Sequence, residues 1–333
     1  MNARDPRAID RLAAIAVLVF GIGTPAATAG EPAPATPEQM VEALHAAFGD
    51  HHSRAIYAKG VVTEGSFTPT SQARALSHAA LFAGPALPVT VRFSNFTGFP
   101  DISDTAGMAN PRGMAIKFKL PDGAEADIVA QSFNGFPVAS AAEFRELLLA
   151  AADSRADPAK PSRLDAFLAG HPIAKTFLTT QKPDPFSYAT LAYFGVNAFR
   201  FTDAAGESVL VRYQFLPMGG EHFLSGSQVA ARGPDYLQED MPKRLADGPV
   251  HFDWFAQLAG PTDAADDPSV AWPDSNRVVK LGTISIDRMA PRPAEADKSL
   301  LFLPSRVPAG IEPADPMIAI RSPAYPVSFR ERQ

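Results

Sequence analysis

The sequence predicts an α+β fold in which about eight antiparallel strands close into a single β-barrel with helices packed around it. Three observations support this prediction. Segments rich in Val, Ile, Phe and Thr alternate between apolar and polar residues, and each is bounded by Gly, Pro or Asp. A block with helical spacing divides the strands into two sets, without any stretch that resembles a flexible linker. The 32 prolines among 333 residues favour turns over long helices.

The same patterns place the individual elements. A helix begins after Thr36, because Thr36, Pro37 and Gln39 supply an N-cap, a first-turn proline and a capping-box partner. Alternation predicts eight strands, at residues 59–68, 89–95, 114–120, 127–133, 191–202, 208–216, 250–258 and 278–287. Helical spacing predicts three further helices, at residues 141–152, 162–168 and 234–246.

Composition narrows the classes of function. A net charge of −6, with 46% hydrophobic and 20% charged residues, is typical of a globular protein. Beyond the N-terminal segment there is no basic run, so we expect binding neither to nucleic acid nor to anionic membrane surfaces. The absence of cysteine excludes disulfides, iron–sulfur clusters, thiolate-ligated haem and a cysteine nucleophile. Metal chemistry would therefore use His, carboxylate or Tyr ligands.

The first 29 residues have the order of a secretory signal peptide. Arginines at positions 4, 7 and 11 precede an apolar run at residues 12–22, and Ala27-Thr28-Ala29 follows as a cleavage site. The run is well below the ~20 residues that a membrane span needs. We expect residues 1–29 to be removed, residues 30–38 to be a linker and residues 39–333 to form one domain. The mature protein would be periplasmic or secreted, and not attached to a membrane.

Several cations interrupt the apolar strands. Arg92 and Ser94 alternate on one strand, so they share a face opposite Val91 and Phe93. That face is either exposed to solvent or lines an interior polar pocket. Arg54 precedes the first strand and Arg112 flanks the third, and a pocket that gathers several arginines would suit an anionic ligand.

A second candidate lies near the C-terminus, where Arg321 and Tyr325 are four residues apart and would face the same side of a helical turn. A positive charge beside a phenol favours the phenolate, which is a good ligand for ferric iron. The alternative is a cation–π or hydrogen-bonded pair at the surface. Pro323 lies between them and argues against an unbroken helix.

Five segments together resemble the haem catalase superfamily, in particular its short exported branch, the catalase-related peroxidases. The resemblance covers residues 50–330 in the family's order. Its motifs in this chain are Arg54-Ala55-Ile56-Tyr57-Ala58-Lys59-Gly60, Val91-Arg92-Phe93-Ser94, the segment 110–118 with Asn110-Pro111-Arg112-Gly113, the segment 127–137 with Asn134, and the segment 310–326 that ends in Arg321 and Tyr325-Pro326.

The resemblance implies a catalase-like barrel that binds haem b, with Tyr325 as the axial iron ligand and Arg321 stabilising its negative charge. It also implies that Arg54, Arg92 and Arg112 meet the haem propionates. On the distal side, where peroxide binds, it implies three roles: Ser94 hydrogen-bonds the catalytic side chain, Asn134 orients peroxide and Phe144 is a distal aromatic.

Tyr57 departs from the family pattern, which has the distal catalytic histidine at this position. A phenol with a pKa near ~10 is a poor base at neutral pH, whereas an imidazole near ~6.5 is well suited to the proton transfer. Three outcomes stay open: weak peroxidase activity with Asn134 or water carrying protons, His51 or His52 reaching the pocket, or loss of peroxide chemistry.

The function implied is reduction of hydrogen peroxide or an organic hydroperoxide with an unknown small-molecule electron donor. Two alternatives stay open, a fatty-acid hydroperoxide isomerase and a non-catalytic exported haem-binding protein. The sequence leaves the oligomeric state open, a homo-oligomer included.

Overall fold

The computed structural model describes residues 35–157 and 160–333. The predicted signal peptide and most of the predicted linker lie outside these residues. One antiparallel sheet dominates the structure. Its strands are β1 (Gly60–Pro69), β2 (Leu87–Ser94), β3 (Gly113–Lys119), β4 (Glu125–Gln131), β5 (Tyr193–Thr202), β6 (Ser208–Pro217), β7 (Val250–Leu258), β8 (Val278–Met289) and β9 (Ile311–Pro313).

The first eight strands close into a barrel in the order β4-β3-β2-β1-β8-β7-β6-β5. Closure depends on one pairing between β4 and β5, at Gln131 and Phe194, and the short strand β9 pairs with β5 outside the ring. The predicted eight-stranded antiparallel barrel is therefore confirmed, and each observed strand lies within about two residues of its predicted bounds.

Aromatic side chains fill the core of the barrel. Trp254 on β7 is fully buried. Five aromatic rings have centroids 5.2 to 5.7 Å from its own, those of Phe67, Phe82, Phe118, Tyr213 and Phe215. On β2, Val91 and Phe93 belong to this core, so the alternation of the strand turns Arg92 and Ser94 to the outer face of the barrel.

Helices pack against the barrel. They are α1 (Pro37–Phe48), α2 (Ser71–Leu76), α3 (Ala80–Ala83), α4 (Ala141–Ala156), α5 (Arg163–Gly170), α6 (Pro172–Thr179), α7 (Gly226–Ala230), α8 (Tyr236–Asp247), α9 (Pro293–Ser299), α10 (Pro316–Arg321) and α11 (Ala324–Glu331). The predicted capping box of α1 is present, with Thr36 and Gln39 bonded reciprocally. In the described part of the chain, no helix combines the length and apolarity that a membrane crossing needs.

Four of these helices, α1, α4, α10 and α11, pack against one another beside the barrel. Val41, Leu44 and Phe48 of α1 pack with Leu148 of α4 and Val327 of α11 in a buried apolar cluster. The chain between α10 and α11 stays close to helical at Ser322 and Pro323, so the predicted break at Pro323 is a small one. Arg321 consequently remains one turn before Tyr325.

Candidate functional site

A cavity of about 1220 Å³, including its open mouth, lies between the outer face of β2, β3 and β4 and the helices α1, α4, α10 and α11. Its lining is mostly apolar. Seven of the nine predicted site residues line it, namely Arg54, Tyr57, Arg92, Ser94, Phe144, Arg321 and Tyr325, whereas Arg112 and Asn134 do not.

Tyr325 and Arg321 form one wall of this cavity. The guanidinium carbon of Arg321 lies 6.0 Å from the centroid of the Tyr325 ring. The Nε atom of Arg321 is buried and has no hydrogen-bond partner in the described structure. Both side chains are half-buried and line the cavity, and their contact has the cation–π geometry that the alternative interpretation predicts. A phenol with an adjacent cation in an apolar cavity can serve as an anionic oxygen ligand.

Tyr57 faces the same cavity from the barrel side. Its backbone has a φ of 57°, in the left-handed region that few non-glycine residues adopt. The Tyr57 hydroxyl donates a hydrogen bond of 2.9 Å to Oε1 of Gln131, and Nε2 of Gln131 donates to the carbonyl of Gly135. Burial raises the pKa of Tyr57 well above its ordinary value; Tyr325 adds to this effect and Arg321 opposes it. The phenol is therefore protonated at neutral pH.

Gly113 makes room for this arrangement. A Cβ atom at position 113 would lie 2.7 Å from the Tyr57 ring and 2.6 Å from Oγ of Ser94. The edge of the Tyr57 ring packs against Phe96, with the two centroids 5.4 Å apart. Ser94 thus lies beside Tyr57, but the hydrogen bond of the Tyr57 hydroxyl is made to Gln131.

Gln131, rather than Asn134, supplies the amide beside Tyr57. Asn134 is half-buried in the turn after β4 and does not line the cavity. Gln131 is the last residue of β4, on the same face as the cavity-lining Val129. Sequence reasoning missed it, although strand alternation from Val129 would have put Gln131 on that face.

A cluster of three arginines around one carboxylate forms the cationic end of the cavity. Arg54 and Arg92 both bond to Asp297 of α9, with Nε of Arg92 2.6 Å from Oδ1. Arg332 donates to the carbonyl of Leu300, as Arg54 does. Its Nε atom is buried and has no partner within the described residues. Sequence reasoning missed Arg332, which lies seven residues, or two helical turns, after Tyr325.

The charges of this arginine cluster are unbalanced. Burial alone would raise the pKa of Asp297, but the charges and hydrogen bonds of Arg92 and Arg54 hold it well below its usual range. Burial and the neighbouring Arg92 lower the pKa of Arg54 to about 9, although Asp297 opposes them. Burial also lowers the pKa of Arg332 to about 10. At neutral pH three cations face one carboxylate, which leaves two positive charges at the cavity wall.

Arg112 lies outside the cavity lining, and its side chain is bonded to buried groups of the fold. Its side chain is fully buried. Its Nη1 donates to Oδ1 of Asn95 at 2.6 Å and to the carbonyl of Ala109, while Nη2 donates to the carbonyl of Asp104 and lies 3.2 Å from the carboxylate of Asp184. These acceptors hold the guanidinium away from the cavity. The propionate contact that the resemblance implied for Arg112 is therefore not supported by its position.

Neither histidine of the adjacent pair reaches the cavity. The His52 side chain is 87% exposed. The His51 ring packs against Phe99, and its Nε2 atom is 2.8 Å from the carbonyl oxygen of Phe48. In this structure, then, neither side chain is placed to support proton transfer in the cavity.

One known protein family matches most of this chain. The model of the family described as Catalase matches residues 39–333. The chain belongs to the catalase family. It is 36% identical over 96% of its length to a catalase-related peroxidase of Synechococcus elongatus, of which it covers 95%. It is also 38% identical over 89% of its length to a catalase-related peroxidase of Mycolicibacterium paratuberculosis, again covering 95% of that protein.

Among solved structures, a fungal catalase is similar with a TM-score of 0.73 and 21% identity, over 84% of this chain and 59% of the fungal one. The chain thus spans about three fifths of that larger catalase, and the likeness shows the shared fold. Family membership makes the chain an oxidoreductase of the class that acts on peroxide.

Proposed function

We propose that the protein is a haem-dependent peroxidase that reduces hydrogen peroxide or organic hydroperoxides with electrons from a small-molecule donor. The observation that carries this proposal is one cavity with Tyr325 and Arg321 on one wall and the arginine cluster at one end. The two relatives of 36% and 38% identity, both named catalase-related peroxidase, support it. The N-terminal signal pattern adds the proposal that the enzyme works in the periplasm or outside the cell.

The residues present fit haem b. An apolar lining suits the porphyrin ring, and two surplus positive charges suit its two propionate carboxylates. Haem b needs no covalent attachment, which agrees with the absence of cysteine. Tyr325 would hold the iron, Arg321 would stabilise the phenolate, and Arg54 and Arg332 would receive the propionates. When bound, haem supplies the redox chemistry of peroxide reduction.

The protein's own contribution to proton transfer is weak. Peroxide reduction requires that a proton is removed from one peroxide oxygen and that a proton is delivered to the other. A positioned acid–base group contributes about 10²–10⁴-fold to such a step. Tyr57 keeps its proton at neutral pH and directs it to Gln131. An amide is not a useful base, so water in the cavity would carry the proton and turnover would be slow.

Haem reconstitution of purified protein tests the proposal. We expect wild-type protein to take up haem with a tyrosinate-type ferric spectrum that changes on addition of peroxide. Tyr325→Phe should abolish stable uptake, because it removes the iron ligand. Tyr236→Phe is the matched control, since Tyr236 bonds to the carbonyl of Pro185 away from the cavity. Stable uptake with an unchanged spectrum in Tyr325→Phe would show that Tyr325 is not the ligand.

A second candidate function is haem binding without catalysis, which the position of Tyr57 favours. Two phenols, Tyr57 and Tyr325, line one cavity, so each would offer an oxygen ligand to the iron of a bound haem. A six-coordinate ferric spectrum that does not respond to peroxide would support this candidate and exclude the peroxidase.

A further inference from the structure

We infer that Asp297 is a positioning residue that presents the arginine cluster to the carboxylates of the cofactor; this inference rests on the proposed haem binding. Asp297 lies on α9, which has no buried residue, so this helix adds nothing to the apolar core. Its carboxylate nevertheless contacts two of the three arginines that line the cavity. The resemblance did not indicate Asp297.

The hydrogen bonds of the cluster show what the carboxylate does. Both oxygens of Asp297 accept from Arg92, at 2.6 and 3.0 Å, and Oδ1 also accepts from Nε and Nη2 of Arg54. The other hydrogen bonds of Arg92 are donated to the carbonyls of Tyr57 and Ala58. Arg92 is therefore largely saturated and acts as a fixed support, not as a free anion receptor.

Donors remain on the other two arginines. Nη1 of Arg54 has no hydrogen-bond partner in the described part of the chain, and Arg332 uses only Nη2. Asp297 binds Arg54 along the edge formed by Nε and Nη2, and this leaves the Nη1 end available. Asp297 therefore fixes Arg92 in place, whereas Arg54 and Arg332 keep free N–H donors that can bind the two carboxylates of an incoming ligand.

The cluster depends on this carboxylate electrostatically. Arg54 and Arg92 lie side by side in a buried place, and their mutual repulsion contributes to the lowered pKa of Arg54. A buried charge that loses its partner is strongly destabilised. Without Asp297, the two guanidinium groups would separate or turn to solvent, and the free donors of Arg54 would no longer be held at the cavity wall.

The test is to measure the affinity of the apoprotein for two probes, haem and haem dimethyl ester, whose propionates carry no charge. In Asp297→Asn we expect haem to bind about 10- to 100-fold more weakly, the range for losing hydrogen bonds to a charged group. The ester should bind within about twofold of wild type, because it makes no charged contact with the arginines. Glu295→Gln on the same helix is the control, since its pairing with Arg292 is exposed and lies outside the cluster.

Asp297→Glu provides a second variant that keeps the charge and displaces it by one methylene group. Its affinity for haem should lie between those of wild type and Asp297→Asn, and its affinity for the ester should be unchanged. If the Asn variant does not fold, the Glu variant alone tests the inference. Equal weakening of both probes would show that Asp297 only supports the cavity wall. Unchanged or tighter haem binding in Asp297→Asn would also overturn the inference. If wild-type protein binds no haem, the proposed function itself fails.

Discussion

Replacing Tyr57 by histidine should convert this protein into a faster peroxidase. The Tyr57 hydroxyl is protonated at neutral pH because burial raises its pKa above the ordinary value of about 10, so less than about one molecule in 10³ carries the phenolate at pH 7. An imidazole with a pKa near 6.5 is mostly unprotonated there. Supplying that base should raise the rate of reaction with hydrogen peroxide by about 10²–10⁴-fold.

The assay is stopped-flow measurement of the reaction of the haem-loaded protein with hydrogen peroxide between pH 5 and pH 10. A group acts as a base above its own pKa. The wild-type rate should therefore stay low across this range, because Tyr57 has a raised pKa and keeps its proton. The Tyr57→His rate should increase through the imidazole pKa and become constant above it.

Tyr57→Phe is the matched control, because it keeps the ring that packs on Phe96 and removes only the hydroxyl. We expect its peroxide rate to stay within about threefold of wild type, far below the contribution of a working acid–base group. The reasoning would be refuted if the histidine variant, with haem bound, gained nothing while the phenylalanine variant lost tenfold or more. Tyr57 would then itself perform the proton transfer.

Two further predictions concern residues that the resemblance placed differently. Arg112→Met should lower the free energy of unfolding of the apoprotein by about 3–5 kcal/mol, because it leaves the carboxylate of Asp184 and the buried carbonyl of Asp104 without their partner, but it should not change the haem spectrum. Urea unfolding measures the loss, and Arg163→Met at an exposed ion pair should unfold at the wild-type urea concentration. Gln131→Leu should cost about 1–3 kcal/mol in the same assay because the Tyr57 hydroxyl loses its acceptor; an unchanged midpoint would mean that water replaces the amide.

The strands could be predicted from sequence because their signal is local. On β7 the alternation of apolar residues and the flanking turn residues determine the bounds, and prediction and structure coincide at Val250–Leu258. The point at which the barrel closes could not be predicted from this local pattern. It depends on one pairing between Gln131 and Phe194, which no periodic pattern encodes.

The site was predictable only in part, for a related reason. Arg321 and Tyr325 are four residues apart, so helical geometry brings them together without knowledge of the fold. Asp297 is 205 residues from Arg92 and 243 residues from Arg54, and its helix has no buried face that would mark it. A partnership across such a distance exists only after the barrel has formed.

The backbone around Tyr57 explains why the side chain at this position has such influence on the chemistry. Its left-handed conformation costs a non-glycine residue about 1–2 kcal/mol and has to be held in place. The Tyr57 amide donates to the carbonyl of Phe96, and its carbonyl accepts from Arg92, which Asp297 clamps in turn. None of these contacts involves the phenol. The fold therefore fixes the backbone at position 57 beside the cavity whatever side chain it carries, and the identity of that side chain decides whether the cavity has a proton acceptor.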